Sequence, residues 1–159
     1  MKHSKQSRRG FTLLEVLLVV AILGMLAGVA VVTYSGVNKK AKRDTTQRLV
    51  DAISQALHVY NDNIGHYPTE QEGGLQALRT KPEFDEEKTG ENWAGPYLTR
   101  DPVDAWGQAL NYQVTEEGTE EAKTVPFKLW SNGPNEQDDN GAEDDIRNAE
   151  WAASEEAMG

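Results

Sequence analysis

Apolar residues dominate one long early stretch of the chain and afterwards recur only at intervals, first with a helical period and later with the alternation of strands. From Phe11 to Val32 the sequence reads FTLLEVLLVVAILGMLAGVAVV, 22 positions in which Glu15 is the sole charge. A helix rising about 1.5 Å per residue covers a hydrocarbon core of about 30 Å over that length, so the pattern predicts one membrane-spanning helix. The run is too long for the apolar core of a cleaved secretory signal, although Ala27-Gly28-Val29-Ala30 offers a small-residue cleavage site. From about Lys39 to Ile64, Leu49, Ile53, Ala56 and Tyr60 recur at helical spacing, which predicts an amphipathic helix continuing from the first. Its apolar stripe requires a partner further along the chain.

Gly65, Pro68 and the Gly73-Gly74 pair end the helical pattern, and a short helical stretch around Leu75–Leu78 precedes a polar loop through Lys81–Gly90. Two segments alternate as strands do: Gln108–Val114, through Leu110, Tyr112 and Val114, and Val125–Trp130, through Phe127 and Leu129. Glu116-Glu117-Gly118 between them reads as a hairpin-like turn. The acidic, alanine-rich tail Arg147–Gly159 reads either as a short helix held by Trp151 or as a frayed end. The fold class that follows is α+β: a long N-terminal membrane-spanning helix whose outer half packs on a small antiparallel sheet.

Charge divides the chain more sharply than its net value of −10 suggests. Residues 1–10 carry Lys2, Lys5, Arg8 and Arg9 and no acid, whereas residues 82–159 hold 20 Asp and Glu against 5 Lys and Arg, a difference of −15. That acidic surface repels nucleic acid and anionic lipid, which excludes a nucleic-acid partner. Lys39, Lys40, Lys42 and Arg43 beyond the apolar run balance the four basic residues before it, so the positive-inside rule does not orient the helix. The absence of cysteine excludes disulfides and thiolate metal sites. At 159 residues the chain has room for one modest domain plus an appendage.

A carboxylate so early in an apolar span costs about 2.5 kcal/mol or more in hydrocarbon, unless it sits near enough to the interface to stay wet. Its surroundings give it a role. Arg8-Arg9-Gly10-Phe11-Thr12-Leu13-Leu14-Glu15 resembles the type III signal of type IV pilins and pseudopilins. The resemblance implies that a prepilin peptidase, a membrane-embedded aspartyl enzyme, cuts between Gly10 and Phe11 on the cytoplasmic side and methylates the new amine of Phe11. It implies that residues 1–10 are a cleaved leader, 11–33 a transmembrane and assembly helix, 34–64 an amphipathic outer helix, 65–146 a periplasmic head with an acidic loop at 131–146, and 147–159 an acidic tail. In the filament, Glu15 would pair with the Phe11 ammonium of a neighbouring copy. An unpaired buried charge costs about 3–5 kcal/mol.

Further points narrow the likeness. Tyr67-Pro68-Thr69, Gly74-Leu75-Gln76-Ala77-Leu78 and Pro82 resemble the YPT…GLQAL…KP run of the major pseudopilins of type II secretion systems, with an insertion before Gly74. Asp104-Ala105-Trp106-Gly107 followed by Tyr112 resembles their DPWGxxY segment, with Ala105 in place of proline. Val32 also stands where the family has proline, which removes the reason for a kink there.

The loop Ser131–Ile146 concentrates oxygen ligands among glycines, as hard cations require, yet it is not an EF-hand, since Gly141 at its sixth position would put Arg147 at the twelfth. By composition alone a solvated acidic loop is the reading to prefer. The resemblance implies instead one calcium ion, held by the side chains of Asn135, Asp144 and Asp145 and by main-chain oxygens including that of Asn132. Asn135 replaces an aspartate and the loop is longer than usual, so Asp138 or Asp139 offers a substitute ligand.

The function implied is that of a structural subunit of a type II secretion pseudopilus, polymerising through its N-terminal helix to drive protein export. Its partners would be other copies of itself, minor pseudopilins, the prepilin peptidase and the inner-membrane assembly platform. It would be a single-pass inner-membrane protein with a cytoplasmic N-terminus and a periplasmic head. A type IV pilin or minor pseudopilin is the alternative within the class. A membrane-anchored periplasmic enzyme has little to recommend it: His58, Asp62 and His66 share a four-residue spacing, but Gly65 breaks the helix before His66, and no nucleophile elbow or phosphate loop is present.

Overall fold

The computed structural model describes the backbone of residues 11–84 and 87–157, and the side chains of these apart from residues 26–37, 87 and 88. The leader read at residues 1–10 lies outside the described residues. The chain divides into two units, one up to Lys39 and one from Lys40 onward. Helix α1, Leu13–Ile64, supplies 52 residues to the two.

In the first unit, Thr12 starts α1 by accepting the Glu15 N–H on its Oγ1 at 3.3 Å, which satisfies one of the donors a helix N-terminus leaves unpaired. Every side chain from Phe11 to Met25 is exposed, Phe11 at 84% and Leu13 at 81%. A helical surface apolar on all sides needs apolar surroundings. Among the described residues no helix is long and apolar enough to cross a membrane; the described side chains of this run stop at Met25. The backbone is helical through Val32.

In the second unit, the stripe that α1 buries is Thr46, Val50, Ile53, Leu57, Tyr60 and Ile64, alternating steps of four and three. Gly65 ends the helix with φ +99°, its N–H bonded to the Asn61 carbonyl at 2.7 Å. Against that stripe lie a 3-10 turn at Gly74–Leu78 and a three-stranded antiparallel sheet of order β1-β2-β3: β1 Asn111–Val114, β2 Phe127–Ser131 and β3 Ile146–Arg147. Tyr112 pairs with Leu129, and Ser131 with Ile146. Phe127 and Leu129 on the central strand are fully buried with Val50, Leu57, Tyr60 and Leu78. Among the described residues, the unit also holds the short α-helices α2 Glu87–Glu91, α3 Glu120–Thr124 and α4 Ala149–Glu156 and a 3-10 turn at Gly133–Asn135.

The helix-on-sheet arrangement matches the sequence pattern, and the details of the first strand, the link after it and the polar loop depart from it. The first strand begins at Asn111 rather than Gln108, because Asp104 Oδ1 accepts the N–H groups of Trp106 and Gln108 and folds that stretch into a turn closed by a Val103–Ala109 bridge. The link from β1 to β2 is not a tight hairpin: Thr119 caps α3 inside it. The polar loop Lys81–Gly90 gives way to α2. Of the two readings of the tail, the structure has the short helix, with Trp151 as its buried residue.

Candidate functional site

Two regions carry the candidate chemistry. At the N-terminus, Gly10 lies outside the described residues, Phe11 is exposed, and Glu15 is exposed in the first turn of α1. A helix N-terminus favours a carboxylate by its dipole, which offsets about 0.3–1 kcal/mol of the cost of placing Glu15 in an apolar layer.

The second region is the loop between β2 and β3. Gly133 has φ +63°, and a Cβ there would lie 2.3 Å from the Asp144 carbonyl oxygen, so the close approach of the loop's two ends requires glycine. Across that approach the Asn135 N–H donates to Asp144 Oδ2 at 3.1 Å and Asn135 Nδ2 donates to Asp139 Oδ2 at 2.8 Å. Asn135 thus braces two carboxylates, while its own Oδ1 accepts the Gln137 N–H at 2.7 Å. The Asn132 side chain is engaged elsewhere, with Oδ1 accepting from Asn111 Nδ2.

The outcome is a cluster of Asp139, Asp144 and Asp145, whose ligand oxygens all lie within 4.8 Å of one another. Calcium binds oxygen at about 2.3–2.6 Å, so ligands on opposite sides of one ion sit about 5 Å apart, which this spacing accommodates. Asp145 is 8% exposed; its Oδ2 accepts the N–H groups of Gly141 at 2.8 Å and Asp139 at 3.2 Å, and its Oδ1 is buried without a partner. Burial pushes the Asp145 carboxyl above the usual carboxylate range, with repulsion from Asp139 and Asp138 acting the same way against the two N–H donors. A buried acceptor with an open lone pair among like charges has the chemistry of a cation ligand. Asp138, the other substitute weighed from the sequence, is drawn away: its Oδ1 accepts the Trp130 indole N–H at 2.9 Å.

The histidine trio is not assembled. His58 shares hydrogen bonds with Tyr67 Oη at 2.9 Å and Glu150 Oε1 at 3.3 Å, while His66 faces Glu72 at 2.9 Å. Among the described residues the aspartate cluster is the one group of acidic or histidine side chains gathered closely enough to hold a metal.

Residues 33–149 match the family described as type II secretion system (T2SS), protein G, and residues 5–31 match the prokaryotic N-terminal methylation motif. The chain belongs to the type II secretion system protein G family. It is 36% identical over 150 residues to the type II secretion system core protein G of Klebsiella michiganensis, covering 94% of this chain and 97% of that one. The Pseudomonas aeruginosa core protein G is 35% identical over 151 residues, covering 95% and 99%. The fold is similar to the crystal structure of the major pseudopilin from the type 2 secretion system of enterohaemorrhagic Escherichia coli, with a TM-score of 0.54 and 32% identity, covering 74% of this chain and 89% of that chain. Protein G is a structural pseudopilin and not an enzyme, which leaves the His58 and His66 contacts as structural pairings. Sequence reasoning named Asp144 and Asp145 but left Asp139 level with Asp138; the signal separating them is Trp130, whose buried indole takes Asp138 as its acceptor.

Proposed function

We propose that this protein G subunit is cut between Gly10 and Phe11, methylated on the Phe11 amine, and polymerised through residues 11–33 into a pseudopilus whose growth drives protein export. The methylation motif over residues 5–31 is the observation that carries this reading. Before assembly the apolar run is a single inner-membrane span, with the leader cytoplasmic and the head periplasmic. On assembly, each exposed side chain from Phe11 to Met25 exchanges lipid for the helices of neighbouring copies. Repeated head-to-tail contacts of that kind do not close, so they give a helical filament. Glu15 pairs with the Phe11 ammonium of the adjacent copy, which neutralises two charges that neither copy can neutralise within the apolar layer. The prepilin peptidase, the inner-membrane assembly platform and minor pseudopilins are the partners this sequence of events requires.

The acidic loop holds calcium in the same reading. Asp139, Asp144 and Asp145 supply side-chain oxygens, the Asn132 carbonyl supplies a main-chain one, and Asn135 braces the carboxylates. The ion neutralises a cluster that otherwise repels itself. Support comes from the 4.8 Å spacing and the unpartnered Asp145 Oδ1.

Mass spectrometry of the protein extracted from membranes tests the processing steps. The expected species begins at Phe11 and carries one methyl group on its amine. A chain that retains residues 1–10 in polymerised material would overturn the proposal.

A further inference from the structure

Gly141 touches two things at once: its N–H holds Asp145 Oδ2 at 2.8 Å, and its Cα lies against the indole of Trp151. A Cβ at position 141 would fall 2.0 Å from Trp151 Cη2 and 2.6 Å from Cζ3, so no side chain fits between loop and ring. The backbone there has φ +80°, which glycine adopts freely. Trp151 also meets Trp130 edge-on, with ring centroids 5.6 Å apart, and the Trp130 indole N–H holds Asp138. The two tryptophans therefore contact the loop at two separate points. Lys128 Nζ and the Arg147 guanidinium each lie 5.4 Å from the Trp151 ring centre and fix the ring from β2 and β3. Trp151 is in turn the one buried side chain of α4, so the helix is anchored chiefly by the residue that supports the loop.

We propose that Trp151 is a positioning residue for the acidic loop, the floor on which it closes, so that cation binding by the loop and docking of α4 are one coupled event. The inference rests on the calcium reading above. A cation that draws Asp139, Asp144 and Asp145 together fixes Gly141 through Asp145, and a fixed Gly141 leaves the indole a single seat. Linkage makes the effect reciprocal: α4 undocked by removal of the indole weakens the cation site by the factor by which the cation stabilises α4 docking.

Hydrogen exchange of the unmutated full-length protein in detergent, with calcium and with chelator, reads the coupling without any variant. Calcium is expected to slow exchange at the amides of Ala149–Glu156 as well as in the loop. Calcium affinity, measured by calorimetry, is expected to fall about tenfold in Trp151→Ala and Gly141→Ala, within the usual range of coupling, and to recover most of that loss in Trp151→Phe. Calcium binding with protection confined to residues 131–146, or with unchanged affinity in folded Trp151→Ala, would overturn the coupling and leave the calcium site standing. No calcium binding by the unmutated protein would overturn both. Should Trp151→Ala fail to fold, the exchange pattern of the unmutated protein decides.

Discussion

The buried carboxylate of Asp104 accepts the hydroxyl of Ser131 on one oxygen and the N–H groups of Trp106 and Gln108 on the other, joining the turn before β1 to the end of β2 where the acidic loop departs. Replacing Asp104 by Ala strands three donors in a largely buried site. Each buried unsatisfied polar group costs about 1–3 kcal/mol. Asp104→Ala is therefore expected to lose about 3 kcal/mol or more in urea denaturation of the full chain, and Asp104→Asn, which keeps one acceptor oxygen, distinctly less.

Phe127 on β2 is fully buried, with the His58, Tyr67 and Tyr112 rings around it. Truncating a buried phenylalanine costs about 3–5 kcal/mol through lost burial and the cavity left behind. Phe127→Ala is expected to show that loss in the same denaturation experiment, whereas Phe127→Leu, which refills most of the space, should lose about half as much.

Acid exposes a different dependence. Burial raises the Glu150 carboxyl pKa, but its own backbone N–H, the Asn148 amide and His58 outweigh burial and hold it below the usual glutamate value. A depressed folded pKa means that this contribution is complete above the unfolded pKa, about 4.3, and is lost as pH falls through the folded one. Glu150→Gln is expected to flatten the acid limb of a plot of stability against pH between those values, by lowering stability at neutral pH while leaving it nearly unchanged below the folded pKa. At the alkaline end, burial raises the Tyr60 and Tyr112 phenols, so stability is complete below the usual tyrosine value and falls as pH rises past it.

Calcium should raise the melting temperature of the unmutated protein and chelator should lower it, by an amount set by RT ln(1 + [L]/Kd). Asp145→Asn, which leaves the loop hydrogen bonds to Gly141 and Asp139 with an acceptor, is expected to abolish the calcium response in a thermal scan. A melting temperature indifferent to both additions would remove the metal.

How much of this was legible in the sequence differs from element to element. The α1 stripe was readable because steps of three and four follow the local period of a helix, and β2 because Phe127 and Leu129 alternate. The third strand was not, since two residues, Ile146-Arg147, carry no period; its pairing is set by the neighbouring Asn148, whose Oδ1 accepts the Leu129 N–H. The acidic loop was recognisable as a cluster of oxygen ligands, but Asp138 and Asp139 differ only in what their neighbours offer them, which composition does not record. Trp151 read correctly as the anchor of the tail, whereas its place beneath Gly141 depended on a tertiary approach that no local pattern encodes.

Assembly through Glu15 is tested most directly by Glu15→Ala, followed by mass spectrometry for cleavage and by electron microscopy of sheared filaments. The expected result is a chain that still begins at methylated Phe11 but no longer forms filaments in normal number. Normal filaments from a correctly processed Glu15→Ala chain would contradict the pairing of Glu15 with the Phe11 amine of its neighbour.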